Sequence, residues 1–424
     1  MKIMIISYFF PPYAIIGAVR VGKMAKYLTA FGHDVRVISA ADQPLPTSLP
    51  VEIPLGQVVY TKWYNVNSPV EMALGGRERV VSSAELVPQG TFWSAVKKGL
   101  WNPYKTILNF PDPQVGWFPF ARSAGADMIK SWQPDVIYAS AVPYTSLLIA
   151  ASLSKKYSIP WVAELRDLWI DNHYYSFPNW RRSIEAIVEK KILSSANGMV
   201  TVSEPLAQVL RSKFNKPVQV VMNGFDPEDS EMIPVMEKPK NELSIVYTGL
   251  IYEGKRDPSP LFEALSILGL EADIVKVKFY GRSLGIVRQM AKRYGVERSV
   301  EINDPVPYQE SLRIQKEADI LLLLLWDDPQ ERGVFTGKLF EYLGAKRPVL
   351  TIGPADNVAS ELIISRNAGY VSNQAQSIAA KLKDWIELKK RDGVIAQLND
   401  QVTKGLTRED QARVMEEFFT KVTR

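Results

Sequence analysis

Short apolar segments alternate with segments of helical periodicity along most of the chain. The apolar segment at 2–7 is followed at 17–31 by apolar side chains that recur every three or four residues, the spacing of a helix face. A second apolar segment follows at 34–39. This strand, helix, strand order predicts a parallel sheet covered by helices.

The same alternation returns after 135 and starts again after 242. In the first half, further strands are predicted at 135–139, 161–164, 198–202 and 218–222, and helices at 144–156 and 180–194. In the second half, strands are predicted at 243–248, 275–280, 299–302, 320–325, 348–352 and 369–371, with helices between them. The predicted fold class is α/β, with two Rossmann-like, doubly wound domains that face each other across a cleft.

The pattern also predicts where the domains begin and end. The first domain spans 1–225, with an irregular insertion at 41–130 that is rich in proline and tryptophan and contains some helix. A polar linker without periodicity is predicted at 226–241, and the second domain at 242–404. A C-terminal helix within 405–424 carries a narrow apolar stripe that needs a partner.

Composition excludes several classes of protein. Of the 424 residues, 46% are apolar and 23% charged, as in soluble globular proteins, and the longest apolar run is too short to span a membrane. The absence of cysteine and the presence of only two histidines exclude thiolate and multi-histidine metal sites. A net charge of +5 argues against a nucleic-acid binder and suits anionic small molecules or an anionic lipid surface. The first twenty residues fit a buried strand better than a signal peptide, so a cytoplasmic protein is predicted.

The strongest chemical signal is the segment 335–343, FTGKLFEYL, which follows a predicted buried strand. Thr336 can cap a helix, Gly337 lets a ligand approach the backbone, and Lys338 with free helix amides suits a diphosphate. Glu341, one turn further on, could accept both hydroxyls of a ribose. A capped surface helix with a solvated Glu341 is an equally open interpretation.

Three further loops that follow predicted strands carry charge or glycine. Gly249 precedes Lys255 and Arg256, two cations that suit a phosphate, although a solvated basic turn is the simpler interpretation. The other two loops lie in the first domain, and each has a structural alternative to a binding role. In the first the arginine would lie on the helix surface, and in the second an Arg–Asp pair would brace the loop. Their residues are Gly17 and Arg20 in the first loop, and Arg166 and Asp167 in the second.

Together these segments resemble glycosyltransferase family 4, which has the GT-B fold. The shared motifs cover almost the whole chain in the family's order: Pro-Pro…Gly17…Arg20…Gly32-His33-Asp34-Val35, Val202-Ser203-Glu204, Asn223-Gly224-Phe225-Asp226, Gly249…Lys255 and Thr336-Gly337-Lys338…Glu341. The resemblance implies a retaining, metal-independent transfer of a sugar from a nucleotide-sugar to a glycan or lipid-linked acceptor, without a cofactor. It also implies that the nucleotide lies mainly on the second domain and that the C-terminal helix crosses back to the first. The Thr-Gly-Lys branch is associated with the assembly of bacterial surface polysaccharides, including lipopolysaccharide.

The chain departs from the family pattern at some positions. Leu250 replaces the arginine after the loop glycine, and Gly333 replaces the first Glu of the Glu-x7-Glu motif, whose second Glu is Glu341. The residues predicted to act in catalysis are Lys255, Lys338 and Asp167. Those predicted to bind the donor are Gly17, Arg20, Arg166, Gly249, Arg256, Thr336, Gly337 and Glu341. Those predicted to contact the sugar are Asp327, Asp328 and Glu331. No metal is predicted at the Asp327–Asp328 pair, because the cations can neutralise the diphosphate.

Two other functions stay open at this stage. One is a sugar-nucleotide epimerase of the same two-domain architecture, although two histidines offer little acid–base chemistry. The other is a non-catalytic nucleotide-sugar-binding protein, in which Gly333 reflects lost catalysis.

The segment 91–110 interleaves aromatic residues with lysines, as in membrane-interfacial segments. It predicts a peripheral contact at the inner face of the cytoplasmic membrane. The alternative is that these aromatic side chains fill the core of the first domain or line an acceptor pocket.

Overall fold

The structure is a computed structural model that describes residues 1–68, 106–172, 175–231, 240–251, 254–282 and 284–424. It divides the chain into two units. Unit 1 comprises Met1–Val221 together with Ala412–Arg424, and unit 2 comprises Met222–Gln411. The predicted linker is described only in part, and its described residues include the short helix α6 (Pro227–Glu231).

Unit 1 contains a seven-stranded parallel sheet in the order β3-β2-β1-β4-β5-β6-β7. Its strands are β1 (Lys2–Ile6), β2 (Asp34–Ala40), β3 (Val58–Thr61), β4 (Val136–Ala141), β5 (Trp161–Leu165), β6 (Gly198–Thr201) and β7 (Val218–Val220). The helices described between them are α1 (Ile16–Ala30), α2 (Phe118–Trp132), α3 (Thr145–Tyr157), α4 (Asn179–Leu193) and α5 (Glu204–Phe214).

Two elements of unit 1 correct the prediction of an irregular insertion at 41–130. Strand β3 lies at the sheet edge beside β2, and α2 contributes Met128 and Trp132 to the core. The four residues of β3 are too few to show a period. Some helix was expected in this insertion, but α2 was not located because prolines surround its start. Pro119 occupies the first turn, where no intrahelical donor is needed.

Strand β1 shows why the apolar segments predicted strands so well. Met4 and Ile6 pack into one core cluster, whereas Ile3 and Ile5 pack into another, and all four side chains are fully buried. A central parallel strand covered by helices on both faces is expected to be apolar at every position.

The final helix, α13 (Arg408–Thr423), supplies side chains to the second of these clusters from Ala412 onward. Met415, Phe418 and Phe419 are buried there, and Val414 and Val422 are partly buried against it. The apolar stripe read from the sequence is thus partnered within unit 1.

Unit 2 contains a six-stranded parallel sheet in the order β10-β9-β8-β11-β12-β13. Its strands are β8 (Leu243–Thr248), β9 (Val275–Tyr280), β10 (Val300–Asn303), β11 (Ile320–Leu324), β12 (Val349–Ile352) and β13 (Gly369–Val371). Its larger helices are α7 (Ser259–Leu268), α8 (Gly285–Tyr294), α9 (Tyr308–Glu317), α10 (Gly337–Gly344), α11 (Val358–Ser365) and α12 (Ala375–Asp392).

Both sheets reverse their strand order beside their first strand. In unit 1, β1 lies between β2 and β4, and in unit 2, β8 lies between β9 and β11. Ligands of doubly wound sheets bind at the carboxyl ends of the strands at this switch point, so a ligand is expected at the loops after β1 and β8. Among the described helices, none combines the length and the apolar character that crossing a bilayer requires.

Candidate functional site

The candidate site of unit 2 begins at Gly249, directly after β8. Its φ of +127° is strained for any residue with a side chain, and its N–H donates to the carbonyl of Tyr280 at 2.8 Å. A Cβ added to the neighbouring Gly281 would lie 2.1 Å from the carbonyl oxygen of Gly249. The two glycines therefore allow the loops after β8 and β9 to approach each other closely.

Lys338 extends from the first turn of α10 to this loop. Its Nζ lies 4.0 Å from the ring centroid of Tyr247, and a Cβ on Gly249 would be only 2.6 Å from it. The Nζ atom is buried and has no hydrogen-bond partner among the described residues. Burial, reinforced by Arg256, lowers the pKa of Lys338 to about 7, while Glu341 acts in the opposite direction. An amine held in this way is poised to receive an anion.

Glu341 lies one turn further along α10 and is held by Gln315 of α9. Nε2 of Gln315 donates to Oε2 of Glu341 at 3.4 Å and to Oγ1 of Thr248 at 3.1 Å. Burial raises the pKa of Glu341, whereas the hydrogen bond from Gln315 and the charges of Arg408 and Lys338 lower it. The carboxylate is therefore fixed beside the end of β8.

Gln315 was not singled out from the sequence. It is fully buried, Oγ of Ser311 lies 3.1 Å from its Nε2 as a third acceptor that shares the two N–H hydrogens, and its Oε1 has no hydrogen-bond partner among the described residues. The signal that could have revealed it is its helical spacing from the buried Leu312, which places a polar side chain on a core-facing stripe.

The start of α10 offers further groups to a ligand. Thr336 occupies the N-cap position with extended backbone, but its side chain makes no capping hydrogen bond. Its Oγ1 is buried without a hydrogen-bond partner in the described parts of the chain, and open space surrounds the Cα of Gly337. The free amides and the unused hydroxyl could all donate to a phosphate.

Lys255 and Arg256 lie in the loop that follows Gly249. Nζ of Lys255 lies 4.3 Å from the ring centroid of Trp326, the residue two positions after β11. Nη1 of Arg256 donates to the carbonyl of Leu250 at 3.3 Å. The loop therefore places both cations near the carboxyl edge of the sheet, where Lys338 also lies.

Asp327 and Asp328 are engaged in ordering their own loop. Oδ1 of Asp327 accepts from Arg332 at 3.0 Å, and Oδ1 of Asp328 accepts from the backbone N–H of Gln330 at 2.8 Å. The backbone carbonyl of Glu331 accepts from Nδ2 of Asn357 at 2.9 Å. Their predicted contacts with a sugar stay predictions. The residues that the structure describes contain no group of carboxylates and histidines able to hold a metal ion.

A cavity of about 630 Å³ lies beside this site, and the sequence reading missed it. It is formed by the loops that follow β9 and β10, with residues Gly281, Arg282, Leu284, Gly285, Arg288, Ile302, Asn303, Asp304 and Pro305. Two glycines that flank an arginine directly after a predicted strand were the available signal.

In unit 1, Arg20 forms a buried ion pair. Nη2 of Arg20 lies 2.8 Å from Oε1 of Glu164 and donates to the carbonyl of Val221 at 2.7 Å. Burial alone would raise the pKa of Glu164, but Arg20, Arg166 and the hydroxyl of Ser140 outweigh it and lower the pKa. Arg20 is 8% exposed, so the alternative of a surface arginine is wrong.

Arg166 and Gly17 lie together near this pair. Nε of Arg166 donates to the carbonyl of Ala141 at 2.8 Å, and Nη2 donates to that of Val142 at 3.1 Å. A Cβ on Gly17 would lie 2.9 Å from Nη1 of Arg166, so glycine at this position lets the guanidinium lie against α1. Asp167, in contrast, is exposed.

The predicted residues thus form two groups. In unit 2 the structure brings together Gly249, Lys338 and Glu341, with Thr336 and Gly337 at the same helix start. In unit 1 it brings together Gly17, Arg20 and Arg166 around Glu164.

Comparisons with known proteins agree with the two-domain architecture that the two sheets define. Residues 17–224 match the family described as Glycosyl transferase 4-like domain. A search of curated protein sequences finds no match. HepE of Anabaena, solved in complex with UDP, is similar over 99% of this chain and 100% of its own, with a TM-score of 0.64 at 14% identity.

Two further solved structures share the architecture. A glycosyltransferase from Rickettsia africae is similar over 100% of this chain and 99% of its own, with a TM-score of 0.59 at 16% identity. WaaG, a glycosyltransferase involved in lipopolysaccharide biosynthesis, covers 100% of both chains with a TM-score of 0.54 at 14% identity. Likeness at such low identity shows the fold and leaves substrates to be determined. The chain therefore has the GT-B fold of these glycosyltransferases, and its residues 17–224 match the glycosyl transferase 4-like family.

Proposed function

We propose that this transferase is a retaining, metal-independent enzyme of the hexosyltransferase type, which moves a sugar from a nucleotide-sugar to a glycan or lipid-linked acceptor. The pathway that we propose for it is the biosynthesis of a cell-surface polysaccharide. The single observation that carries the proposal is the buried Nζ of Lys338, which has no hydrogen-bond partner in the described chain. Lys338 lies on the same helix as Glu341, and its Nζ lies against Gly249. An amine in this position is costly unless an anion occupies the site.

The proposed donor position follows from the groups around Lys338. The diphosphate lies at the start of α10, where the amides, Thr336 and Lys338 donate to it, and Glu341 accepts the ribose hydroxyls. Lys255 and Arg256 add positive charge. As the bond to the sugar breaks, these cations stabilise the charge that develops on the leaving diphosphate, which is the work that a metal ion does in other transferases.

The cavity beside the loops after β9 and β10 is the proposed place of the nucleobase. HepE has been solved with UDP and with UDP-glucose, so UDP-glucose is the first donor to test. Arg282 and Asn303, which line the cavity, offer hydrogen bonds to a base edge.

The test is a panel of nucleotide-sugars, with and without EDTA, in which release of nucleoside diphosphate is followed with glycan and lipid-linked acceptors. We expect release that depends on an acceptor and persists in EDTA, with retention of the anomeric configuration in the product. Lys338→Met should abolish it, whereas Lys383→Met, which removes an exposed lysine of α12 from its pair with Glu271, should not. Absence of binding by every nucleotide-sugar would contradict the proposal, as would conversion of the donor to its epimer without transfer.

A cytoplasmic location, at the inner face of the cytoplasmic membrane, completes the proposal, with the segment 91–110 as one contact. Residues 91–105 lie outside the described residues. Of the remainder, Ile107 and Leu108 are exposed, at 64% and 41%, whereas Asn109 is buried.

A further inference from the structure

The outward face of α4 in unit 1 carries a stripe of exposed apolar side chains. Trp180, Ile184 and Ile187 are 53%, 47% and 70% exposed. Their spacing of four and three residues places them in one row along the helix. The described chain does not cover this row.

Arg181 joins a second apolar pair to the same surface. Its guanidinium is fully buried and donates to the carbonyls of Thr106 at 2.8 Å and Pro111 at 3.1 Å. It thereby ties the segment that contains Ile107 and Leu108 to the first turn of α4. We name these five apolar residues the α4 patch: Ile107, Leu108, Trp180, Ile184 and Ile187.

The acidic residues of α4 are buried, whereas the lysines in its last turn are exposed. Its only two acidic residues, Glu185 and Glu189, are each 1% exposed and are paired with Arg181 and Lys213. Lys190 and Lys191, in the last turn, are exposed, and neither forms an ion pair within the described residues. Outward, α4 is therefore apolar along the row Trp180, Ile184 and Ile187 and cationic in its last turn, with the exposed Arg182 as a further cation in its first turn.

We infer that the α4 patch docks unit 1 on an anionic phospholipid bilayer, with Lys190 and Lys191 at the headgroup phosphates. Tryptophan and isoleucine enter the boundary between headgroups and acyl chains, while lysines extend toward anionic lipid. The inference deepens the proposed function and rests on it, because the lipid-linked acceptor belongs to that proposal. Docking on the bilayer would bring this acceptor within reach. A second copy of this chain fits less well, because both acidic residues of α4, Glu185 and Glu189, are buried and the helix itself offers no exposed acid to meet the lysines.

The experiment measures co-sedimentation of the full chain with phosphatidylcholine vesicles that contain or lack phosphatidylglycerol. We expect binding only with phosphatidylglycerol, and release at high salt because such attraction is screened. Lys190→Gln/Lys191→Gln should weaken binding about 25-fold, since each lysine near an anionic surface contributes about 1 kcal/mol. Ile184→Ser/Ile187→Ser should weaken it about tenfold or more.

Matched controls separate the α4 patch from general charge and apolarity. Lys155→Gln/Lys156→Gln removes an exposed lysine pair from the last turn of α3, and Ile267→Ser/Leu270→Ser removes exposed apolar side chains from unit 2. Both should bind vesicles as the wild type does. Limited proteolysis of unit 1 checks that every variant is folded. Calorimetry with UDP, performed without vesicles, measures whether unit 2 binds the donor nucleotide. It also keeps a failure of the donor-site proposal distinct from a failure of this one.

Several outcomes would overturn the inference. Equal binding to vesicles with and without phosphatidylglycerol would remove the role of the lysines. Wild-type affinity in both α4 double variants, with loss only in Trp93→Ala/Trp101→Ala, would assign the contact to 91–105 alone. A wild-type dimer that both α4 double variants dissociate, together with no vesicle binding, would assign the patch to a second copy.

Discussion

Lys338 is the residue on which the chemistry of unit 2 depends most. Burial lowers its pKa from 10.5 to about 7, so between these values the unfolded chain holds a proton that the folded protein lacks. The cost of burying this charge is thus fully present below about pH 7, and the contribution of Lys338 to folding stability rises with pH above it. A bound diphosphate favours the charged amine and reverses this tendency.

Nucleoside diphosphate affinity is therefore expected to fall as the pH rises above about 7, because binding then requires proton uptake by Lys338. Lys338→Met should weaken binding by ~1.5–3 kcal/mol and remove this part of the pH dependence. Calorimetry in buffers of different ionisation enthalpy measures both effects. Lys383→Met serves as the control, and a Lys338→Met protein that still takes up the proton would show that another group is responsible.

Gln315 offers a second test at the residue scale. Glu341→Gln is expected to weaken a nucleoside diphosphate much more than pyrophosphate, since only the former carries a ribose. Gln315→Leu should cost ~1 kcal/mol for the same ligand, because its Nε2 holds the carboxylate. In the double variant Glu341→Gln/Gln315→Leu, the loss of affinity caused by Gln315→Leu should vanish. A double-mutant cycle measured with ribose and 2′-deoxyribose nucleotides would show this. Additive losses, or equal losses for the 2′-deoxy nucleotide, would assign Gln315 a purely structural role.

At the scale of elements, the packing of α13 depends on a strand residue without a side chain. A Cβ on Gly198, the first residue of β6, would lie 2.6 Å from Cζ of Phe418 and 3.0 Å from Cγ1 of Val422. Phe418 is 4% exposed, so its ring has little room to move aside.

Gly198→Ala is accordingly expected to destabilise unit 1 by ~1–3 kcal/mol, seen as a lower urea midpoint. Adding Phe418→Leu should recover part of the loss by making room for the new methyl group. Gly56→Ala, at a position with open space around it, is the control and should unfold like the wild type. If Gly198→Ala also unfolds like the wild type, the close contact does not constrain the helix.

At the scale of the whole molecule, the chain passes twice between its units, once after Val221 and once after Gln411. Unit 1 is therefore built from two distant stretches of sequence. The later stretch contributes three large buried side chains, Met415, Phe418 and Phe419. Each contributes ~1.5–3 kcal/mol, so together they approach the whole stability of an ordinary domain, ~5–15 kcal/mol.

Truncation after Gln411 is expected to unfold unit 1 and to leave unit 2 folded. Limited proteolysis should then cleave within residues 1–221, while fragments of 240–411 stay protected. Removal of Thr423 and Arg424 alone is the control and should change nothing, because neither side chain is buried. A truncated protein in which unit 1 is as protected as in the wild type would mean that α13 is dispensable for that unit.

Particular elements show how far the sequence could be read in advance. Strands β8, β9 and β13 have the predicted bounds, because β-branched and aromatic residues concentrate there and β8 and β9 are each followed by a glycine. Strand β3 was missed, and α2 was not located within the helix expected at 41–130, since their signals are short or interrupted by proline. The family resemblance and the fold class are confirmed. The roles of the individual site residues stay predictions.

By itself the sequence determined the α/β class, the two sheets, the loop that carries Gly249 and the helix that carries Lys338 and Glu341, because periodicity and strand-end position are local properties. Only the tertiary structure decided that Arg20 pairs with Glu164, 144 positions away, and that Gln315 of α9 holds Glu341 of α10. The same holds for the cavity beside β9 and β10 and for the inward-facing glutamates of α4. A side chain's partner and its burial depend on which distant segments pack against it, and no local pattern contains that information.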